Sequence, residues 1–373
     1  MSPTRTPTPS PSPGFNIPWA QAGHDAQHSG VSTVGAPPGP LLQTLWTLSR
    51  PGSTLTSPVV DAAGVAYTAS TNGSVLAVSS SSGSVVWTYN TSDAPMSVSP
   101  ALGWGGLLFV STTSGVTALT TANGSLAWRA SVTGGAPGAP CLGVGLALYV
   151  STSGGSLHAV HSLTGEVLWS FIAPGNASAT RDPSTTLDGA VVMFAADNHV
   201  LAVNSSTGDL VWRVAVNATV VSEVVVDGST AFVVTLAGLV AVDGGRNASV
   251  VVMAAAGSGT PRASIALGVH GTVLFTSPCC LVAVQASTGV QVWSRPLSVT
   301  GPALAVDVGG MVTFAAGSSG GGSVNYTALA GATGVEAYAY PATTGSGNGL
   351  VALGTNQVAV VAIEDTLVGL TSA

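Results

Sequence analysis

The stretch LYVSTSGGSLHAVHSLTGEVLWSF (148–171) contains the unit that decides the fold. Two β-runs, LYVST and LHAV, are separated by a Ser-Gly turn, and a second turn leads through Gly165 into a run that carries Trp169. Short runs of β-branched and aromatic residues bounded by Gly and Ser predict strands joined by tight turns. The stretch therefore predicts consecutive antiparallel strands with a large aromatic side chain on the last one.

The same unit recurs along the whole chain. Aromatic residues of the last strand are first 41 residues apart, then 43, then 81 with one position missing near Met253, and finally 45. We interpret them as blade-docking aromatics: Trp46, Trp87, Trp128, Trp169, Trp212, Trp293 and Tyr338. A Gly precedes most of them by four residues, and Ser-Pro or a similar pair opens many units. Each period thus holds four short strands.

A single four-stranded sheet cannot bury both of its faces, so the repeats must stack, and radial stacking closes a ring. Counting the last strands, with the VVVMA segment near Met253 included, gives eight. The chain ends on three strand-like runs without a fourth, whereas LLQTLWTL (41–48) is a fourth strand without the other three. We therefore predict an all-β, eight-bladed β-propeller of four-stranded antiparallel blades, with the ring closed by the N-terminal strand.

The composition limits the kinds of partner that the protein can bind. Charged residues make up 6% of the 373, the net charge is −7, and all eight basic residues are scattered Arg, so nucleic acid is an unsuitable partner. No apolar run is long enough to span a membrane. Three cysteines, Cys141, Cys279 and Cys280, are too few for a disulfide framework. We expect a monomeric propeller that binds a protein or glycan partner.

The N-terminal residues differ from the rest. Residues 1–14, MSPTRTPTPSPSPG, have no apolar core of the kind a signal peptide needs, and they offer nothing to bury. We predict a disordered Ser/Thr-Pro-rich tail or linker over 1–14 and the propeller over 15–373. A chain that begins inside a linker of a longer protein would fit this pattern.

Sequons for N-glycosylation are unusually frequent. About three Asn-x-Ser/Thr sites would be expected by chance, whereas eight of the twelve Asn residues occupy one: Asn72, Asn90, Asn123, Asn176, Asn204, Asn217, Asn247 and Asn325. This predicts an extracellular or secretory-pathway protein. On the repeat, Asn72 and Asn325 fall between second and third strands and three others just after the aromatic strand, which places five sequons on one face. The remaining three fall on the opposite face, and none lies at the centre of a strand. We expect a partner on that opposite face or the rim.

The repeat resembles a known family. The repeat has the pattern Val/Leu-x-Ala-Val/Leu, followed after four or five residues by Ser/Thr-Gly and after three more by Trp. This pattern is similar to the pyrroloquinoline-quinone-like (quinoprotein alcohol dehydrogenase-like) repeat. The segment WAQAGHDAQHSG (19–30) looks like the opening segment of that family. The resemblance covers residues 19–373 and implies the propeller fold. The family includes calcium- and quinone-dependent dehydrogenases, an outer-membrane assembly scaffold and non-catalytic ectodomain propellers, and the chain looks closer to the non-catalytic members.

No catalytic or metal motif emerges. His24 and His28 have the spacing of a zinc motif, but Asp25 replaces the usual Glu and glycines flank the segment, so we expect no metal there. His158 and His161 lie on a predicted strand with side chains on opposite faces. The recurring acids, which are interpreted as turn formers, are Asp61, Asp188, Asp227 and Asp307.

The adjacent Cys279 and Cys280 keep a second function open. In quinone-dependent alcohol dehydrogenases of the resembled family, a disulfide between adjacent cysteines stacks on the cofactor, which makes this pair a possible vicinal disulfide. The other interpretation is two small residues in a tight turn between second and third strands. We favour a non-catalytic extracellular or cell-surface binding scaffold without a cofactor. The alternative is a minimal quinoprotein oxidoreductase that uses pyrroloquinoline quinone and calcium.

Overall fold

The computed structural model describes residues 20–21, 23–38, 42–91, 93, 98–175, 181–216, 218–244, 249–255, 263–277, 279–297, 303–317, 324–343 and 348–372. The 1–14 tail and three of the sequon asparagines, Asn176, Asn217 and Asn247, lie outside these residues. Within them, thirty-two strands form, together with two single 3-10 turns at Val269–Gly271 and Thr355–Gln357.

The first four blades follow one another along the chain, and each pairs its four strands in order. Blade 1 consists of β2 (Val59–Val60), β3 (Val65–Ala69), β4 (Ser74–Ser79) and β5 (Val85–Asn90). Blade 2 consists of β6 (Ala101–Gly103), β7 (Leu107–Thr112), β8 (Gly115–Thr120) and β9 (Leu126–Ser131). Blade 3 consists of β10 (Cys141–Leu142), β11 (Ala147–Ser151), β12 (Ser156–His161) and β13 (Val167–Ile172). Blade 4 consists of β14 (Ser184–Thr185), β15 (Val191–Ala196), β16 (His199–Asn204) and β17 (Leu210–Ala215).

The second half repeats the pattern, except that blades 7 and 8 are joined into one sheet and that the last blade takes a strand from the N-terminal part of the chain. Blade 5 consists of β18 (Val225–Asp227), β19 (Thr230–Thr235), β20 (Gly238–Asp243) and β21 (Ser249–Ala255). Blade 6 consists of β22 (Ile265–Leu267), β23 (Thr272–Thr276), β24 (Cys280–Gln285) and β25 (Gln291–Pro296). Blade 7 consists of β26 (Ala305–Val306), β27 (Met311–Gly317), β28 (Val324–Ala330) and β29 (Val335–Thr343). Blade 8 consists of β30 (Asn348–Leu353), β31 (Ala359–Ile363), β32 (Thr366–Ser372) and β1 (Leu42–Ser49).

Closure of the ring confirms the predicted fold. Strand β1 pairs antiparallel with β32, from Leu42 opposite Ser372 to Ser49 opposite Thr366. The first strands of the blades lie innermost and the fourth strands form the rim. Because the strands alternate in direction, the turns between second and third strands share one face with the connections between blades. We call this the upper face, and the face with the other turns the lower face.

The docking aromatics hold each blade to the next one. Trp128 of blade 2 lies on Gly165 in the turn between β12 and β13. Its indole Nε1 donates to the Ser162 carbonyl of that turn at 3.0 Å, and its ring centroid is 5.6 Å from that of Phe109. Equivalent indole-to-carbonyl bonds to the following blade come from four further residues: Trp46, Trp87, Trp169 and Trp293. The indole thus fills the gap between blades and satisfies its polar atom.

Gly165 is required by this docking. Its φ is +76°, and a Cβ there would lie 2.7 Å from the Trp128 ring. We expect Gly165→Ala to destabilise the protein by about 2–4 kcal/mol, the sum of left-handed strain and overpacking. Gly228 is a matched control, since its φ is +62° and nothing lies within 4 Å of its Cβ position. Gly228→Ala should therefore cost only the strain, ~1–2 kcal/mol, and equal losses in denaturant melts would contradict the docking role.

A buried segment crosses the centre of the ring. This axial segment, residues 20–21 and 23–31, offers acceptors to the innermost strands of six consecutive blades, 2 to 7. Five backbone carbonyls accept from the N–H groups of Leu102, Thr185, Val226, Leu267 and Val306. The Gln21 side chain accepts from Leu142 N–H at 2.8 Å. The segment therefore satisfies inner-edge groups that a propeller would otherwise leave to water.

Candidate functional site

The His24–His28 segment serves this axial crossing. Asp25 is 1% exposed, and its carboxylate accepts from Gln27 N–H, from Ser29 N–H and from the Ser29 hydroxyl. Such a set of local bonds fixes a turn. Asp25 thus holds the carbonyls of this segment in register with the blades. In the structure, the acid of this histidine-spaced segment is used for turns of the backbone.

The remaining residues singled out in the sequence sit apart. His158 is buried in blade 3, with ring nitrogens 2.8 Å from Ser170 Oγ and from the Thr133 carbonyl oxygen. His161 ends the same strand and is half-buried. Asp61 and Asp307 cap turns by accepting from the N–H groups of Val65 and Met311. None of these side chains converges on another to make a reactive centre.

The cysteines also lie apart. Cys141 is fully buried in β10, whereas Cys279 is exposed in the upper-face turn of blade 6 and Cys280 begins β24. The structure holds the neighbouring pair as thiols, and hydrogen bonds from Cys280 and Ser277 lower the pKa of Cys279. The vicinal disulfide stays a prediction, tested by whether reduction adds two hydrogens to the peptide that contains both sulfurs.

The positions of the described sequons correct one prediction made from the repeat. Asn72 and Asn123 lie in exposed turns, and Asn90 and Asn204 are the last residues of their strands. Asn325 does not lie between second and third strands as we predicted, because it is the second residue of β28 and is paired with Ala316 and Pro341. The longer β28 extends the strand past the point that the repeat indicates. Asn325 nevertheless lies next to the end of its strand and not at its centre.

Ionisable groups concentrate instead on the upper face of blades 4 and 5. Arg181 and Asp182 precede β14, and Glu223 occupies the equivalent place before β18 of the next blade. Asp182 Oδ1 accepts from Ala139 N–H of blade 3 at 2.9 Å, and Arg181 Nε donates to the Val220 carbonyl at 3.1 Å. All three charged side chains are partly exposed. In a chain with 6% charged residues, this grouping at the mouth of the ring is distinctive.

Burial and charge couple these groups. Burial raises the pKa of Glu223 to about 7, with the Asp182 carboxylate adding to the rise and Arg181 opposing it. Glu223 is half-buried and lies just before β18, the first strand of blade 5. Below the mouth, His28 is 1% exposed and neither ring nitrogen has a hydrogen-bond partner. Burial lowers the pKa of His28, against the influence of Asp182 and Asp25.

The raised pKa of Glu223 makes the stability of the folded protein depend on pH. Since the folded state retains the Glu223 proton up to about pH 7, whereas the ordinary value is 4.5, this group lowers stability as pH rises between those values. We expect Glu223→Gln to match the parent below pH 4.5 and to become progressively more stable than the parent up to pH 7. Melting across this range checks it, with the exposed Glu166→Gln as control. A Glu223→Gln difference that does not change with pH would contradict the assignment.

A cleft adjoins these groups on the same face. Its volume is about 110 Å³, and its polar lining comes from Asp197, Asn198, His199 and Arg213 of blade 4. The pKa of His199 is lowered by burial and by the Arg213 guanidinium. Mouth and cleft together form the blade 4 site: Arg181, Asp182, Asp197, Asn198, His199, Arg213 and Glu223. These residues lie on two blades and share no motif along the sequence, so the sequence alone does not predict that they lie together.

The residues do not fit a quinone and calcium centre. Among the described ranges, no group of three or more His, Cys, Asp or Glu side chains could hold a metal ion. The Arg181 guanidinium lies close enough to Glu223 to oppose the rise of its pKa, and the Cys279–Cys280 turn belongs to blade 6, two blades further round the ring. The described part of the chain also contains no helix long and apolar enough to cross a membrane.

Comparisons with known proteins agree with this architecture. A family model described as outer membrane protein assembly factor BamB matches residues 71–272, more than half of the chain. A protein of the same description from Bordetella pertussis is 30% identical over 180 residues, which cover 47% of this chain and 46% of the relative. The match thus spans less than half of that relative's length.

Solved structures extend the likeness around the ring. A quinohemoprotein alcohol dehydrogenase from Pseudomonas putida superposes with a TM-score of 0.75 at 13% identity, covering 96% of this chain and 80% of the other. BamB from Moraxella catarrhalis superposes with a TM-score of 0.66 at 18% identity, covering 89% of this chain and 98% of the other. Identities this low establish likeness of fold alone.

Proposed function

Because the chain belongs to the family described as outer membrane protein assembly factor BamB, we propose that it is a non-catalytic scaffold propeller that binds a partner protein outside the cytoplasm. The name of the relatives describes assembly rather than a reaction. A propeller suits this task, since its blades present many loops on one rigid frame. The proposal assigns no cofactor to the chain.

The blade 4 site is the observation that supports this function. It groups both signs of charge around a cleft and the mouth of the channel, whereas the described rim is mostly uncharged. Complementary charges give an interface its orientation and selectivity. The sequons favour a partner on the lower face or the rim, because five of them are predicted on the upper face. Of these, Asn72 and Asn90 belong to blade 1, across the ring from blade 5, whereas Asn176 and Asn217 lie outside the described residues.

Location outside the cytoplasm predicts N-glycans. Asn72, Asn123 and Asn204 each use Oδ1 to accept hydrogen bonds within their turns, so this oxygen is already engaged. A glycan attaches to Nδ2 and leaves those bonds intact. We expect the protein, secreted from a eukaryotic host behind a surrogate signal peptide, to lose mass on glycosidase treatment. Normal secretion without any such loss would remove the support for this location.

Site-specific photocrosslinking tests the scaffold proposal. Asn198 is exposed in the cleft, and Thr207 is exposed in the lower-face turn of the same blade. Benzoylphenylalanine is introduced at one position at a time in the full chain, which is irradiated in the cells that naturally produce it. We expect a discrete protein adduct from position 198 and none from 207. Adducts from 207 alone, or equal adducts from both positions, would contradict a partner at the blade 4 site.

A further inference from the structure

The rim of the propeller carries exposed aliphatic side chains next to free strand edges. Each fourth strand has a neighbour on one side only, and the residues just before its aromatic position face solvent. We call the following residues the rim aliphatics: Leu45, Val85, Val86, Leu126, Val167, Leu168, Leu210, Val211, Val251, Val290, Val292 and Val335. Leu126 is 45% exposed and Val211 is 52% exposed. An apolar strand edge of this kind is a template for pairing with another chain.

The usual protection of such edges is scarce in this protein. Strand edges are generally guarded by charged side chains, above all Lys. The chain has no Lys, and the described fourth strands carry four charged residues: Arg129, Arg213, Arg295 and Glu336. Arg295 and Glu336 pair with each other at 2.7 Å, which leaves less charge to oppose association. Charge therefore gives these strand edges little protection against association.

Two described sequons stand at the beginning of rim strands. In blade 2, the backbone bond from Thr120 N–H to the Ser125 carbonyl closes the turn that contains Asn123, and Leu126 follows directly. In blade 4, Asn204 N–H donates to the Asp209 carbonyl, which places Asn204 beside the residue that precedes Leu210. Oδ1 of Asn123 accepts from Ser125 N–H, and Oδ1 of Asn204 accepts from Ser206 N–H. Each Nδ2 is thus available at the lower end of an exposed apolar strand.

We propose that N-glycans on Asn123 and Asn204 cover the rim aliphatics of blades 2 and 4 and keep the propeller monomeric. The proposal rests on the location outside the cytoplasm proposed above. A bulky, hydrated glycan at the lower end of the strand hinders the approach of a second edge. It takes the place that charged residues have in other β proteins. These glycans therefore protect the fold at its rim, on the face opposite to the blade 4 site.

Removing pairs of glycans from opposite faces tests this role. Ser125→Ala with Ser206→Ala abolishes the two lower sequons and retains both asparagines and the backbone bonds to their Oδ1 atoms. Ser74→Ala with Ser92→Ala abolishes two sequons of blade 1 and is the matched control. Each secreted protein is mapped for glycan occupancy and its mass in solution is measured by sedimentation velocity. We expect a shift to dimers or larger species only in the lower pair, the variant with Ser125→Ala and Ser206→Ala.

A rescue variant separates glycan loss from damage to the turns. Adding Leu126→Thr, Leu210→Thr and Val211→Thr to the lower pair should restore the monomer, because the apolar edge is then removed. The proposal is overturned if Asn123 and Asn204 carry no glycan in the parent, if the lower pair stays monomeric, or if both pairs associate alike. The crosslink from position 198 is scored separately, so a failure of shielding is distinguishable from a failure of partner binding.

Discussion

Deleting residues 1–48 should lower stability drastically, whereas deleting residues 1–14 should leave the melting temperature unchanged. The longer deletion removes β1, whose Trp46 docks on the next blade and donates to the Ser80 carbonyl at 2.6 Å. It also exposes the edge of β32. We expect a loss on the order of 5 kcal/mol or more, a large part of the stability of an ordinary domain.

A third truncation separates ring closure from the axial segment. Deleting residues 1–38 removes the segment that bonds the inner strands but retains β1. The melting temperature of this variant should lie between those of the other two truncations, because the inner N–H groups lose partners while blade 8 stays complete. Calorimetry on all three proteins measures the order. Equal melting of the 1–14 and 1–48 deletions would contradict closure by β1.

Trp128→Ala should cost about 3–5 kcal/mol, the usual range for emptying a large core aromatic. The substitution removes the plate that lies on Gly165, the bond to the Ser162 carbonyl and the contact with Phe109. Trp169→Ala should behave similarly, since its indole repeats these contacts on Gly208 and the Ser205 carbonyl. Denaturant unfolding of the two variants measures both losses.

Leu126→Ala is the control on the same strand as Trp128. Its side chain is exposed, so its loss should stay within about 0.5 kcal/mol. The contrast between neighbouring positions separates docking from general sensitivity of the rim. If Trp128→Ala were as mild as Leu126→Ala, yet abolished the crosslink from position 198, the aromatic series would be a binding feature and not a structural one.

Periodic features were the ones the sequence could predict. Each blade repeats the same packing problem, so Trp87, Trp128 and Trp169 recur at a fixed interval and report the fold. One blade lacks the aromatic residue and has Met253 in its place. The backbone of Met253 lies 3.2 Å from the Cβ position of Gly289, where the other blades place an indole. Closure by β1 could be predicted because both ends of the chain were incomplete in complementary ways.

Features that break the repeat were not predictable. Asn325 was misplaced because β28 is longer than the strands that defined the repeat. Arg181, Asp182 and Glu223 stand on two blades, and only the ring brings them to one mouth. The bonds of the axial segment depend in the same way on six blades meeting at the centre. Contacts of this kind arise from closure of the ring, which leaves no local pattern along the chain.

The central claim is tested most directly by measuring a binding affinity. The partner captured at position 198 is titrated against purified variants of the chain. Arg181→Ala combined with Glu223→Gln alters the blade 4 site, and Glu166→Gln combined with Asp209→Asn removes two charges from lower-face turns. The scaffold proposal predicts at least about tenfold weaker binding for the first pair, a loss of ~1.4 kcal/mol, and parental binding for the second. Parental affinity in the first pair together with loss in the second would contradict it.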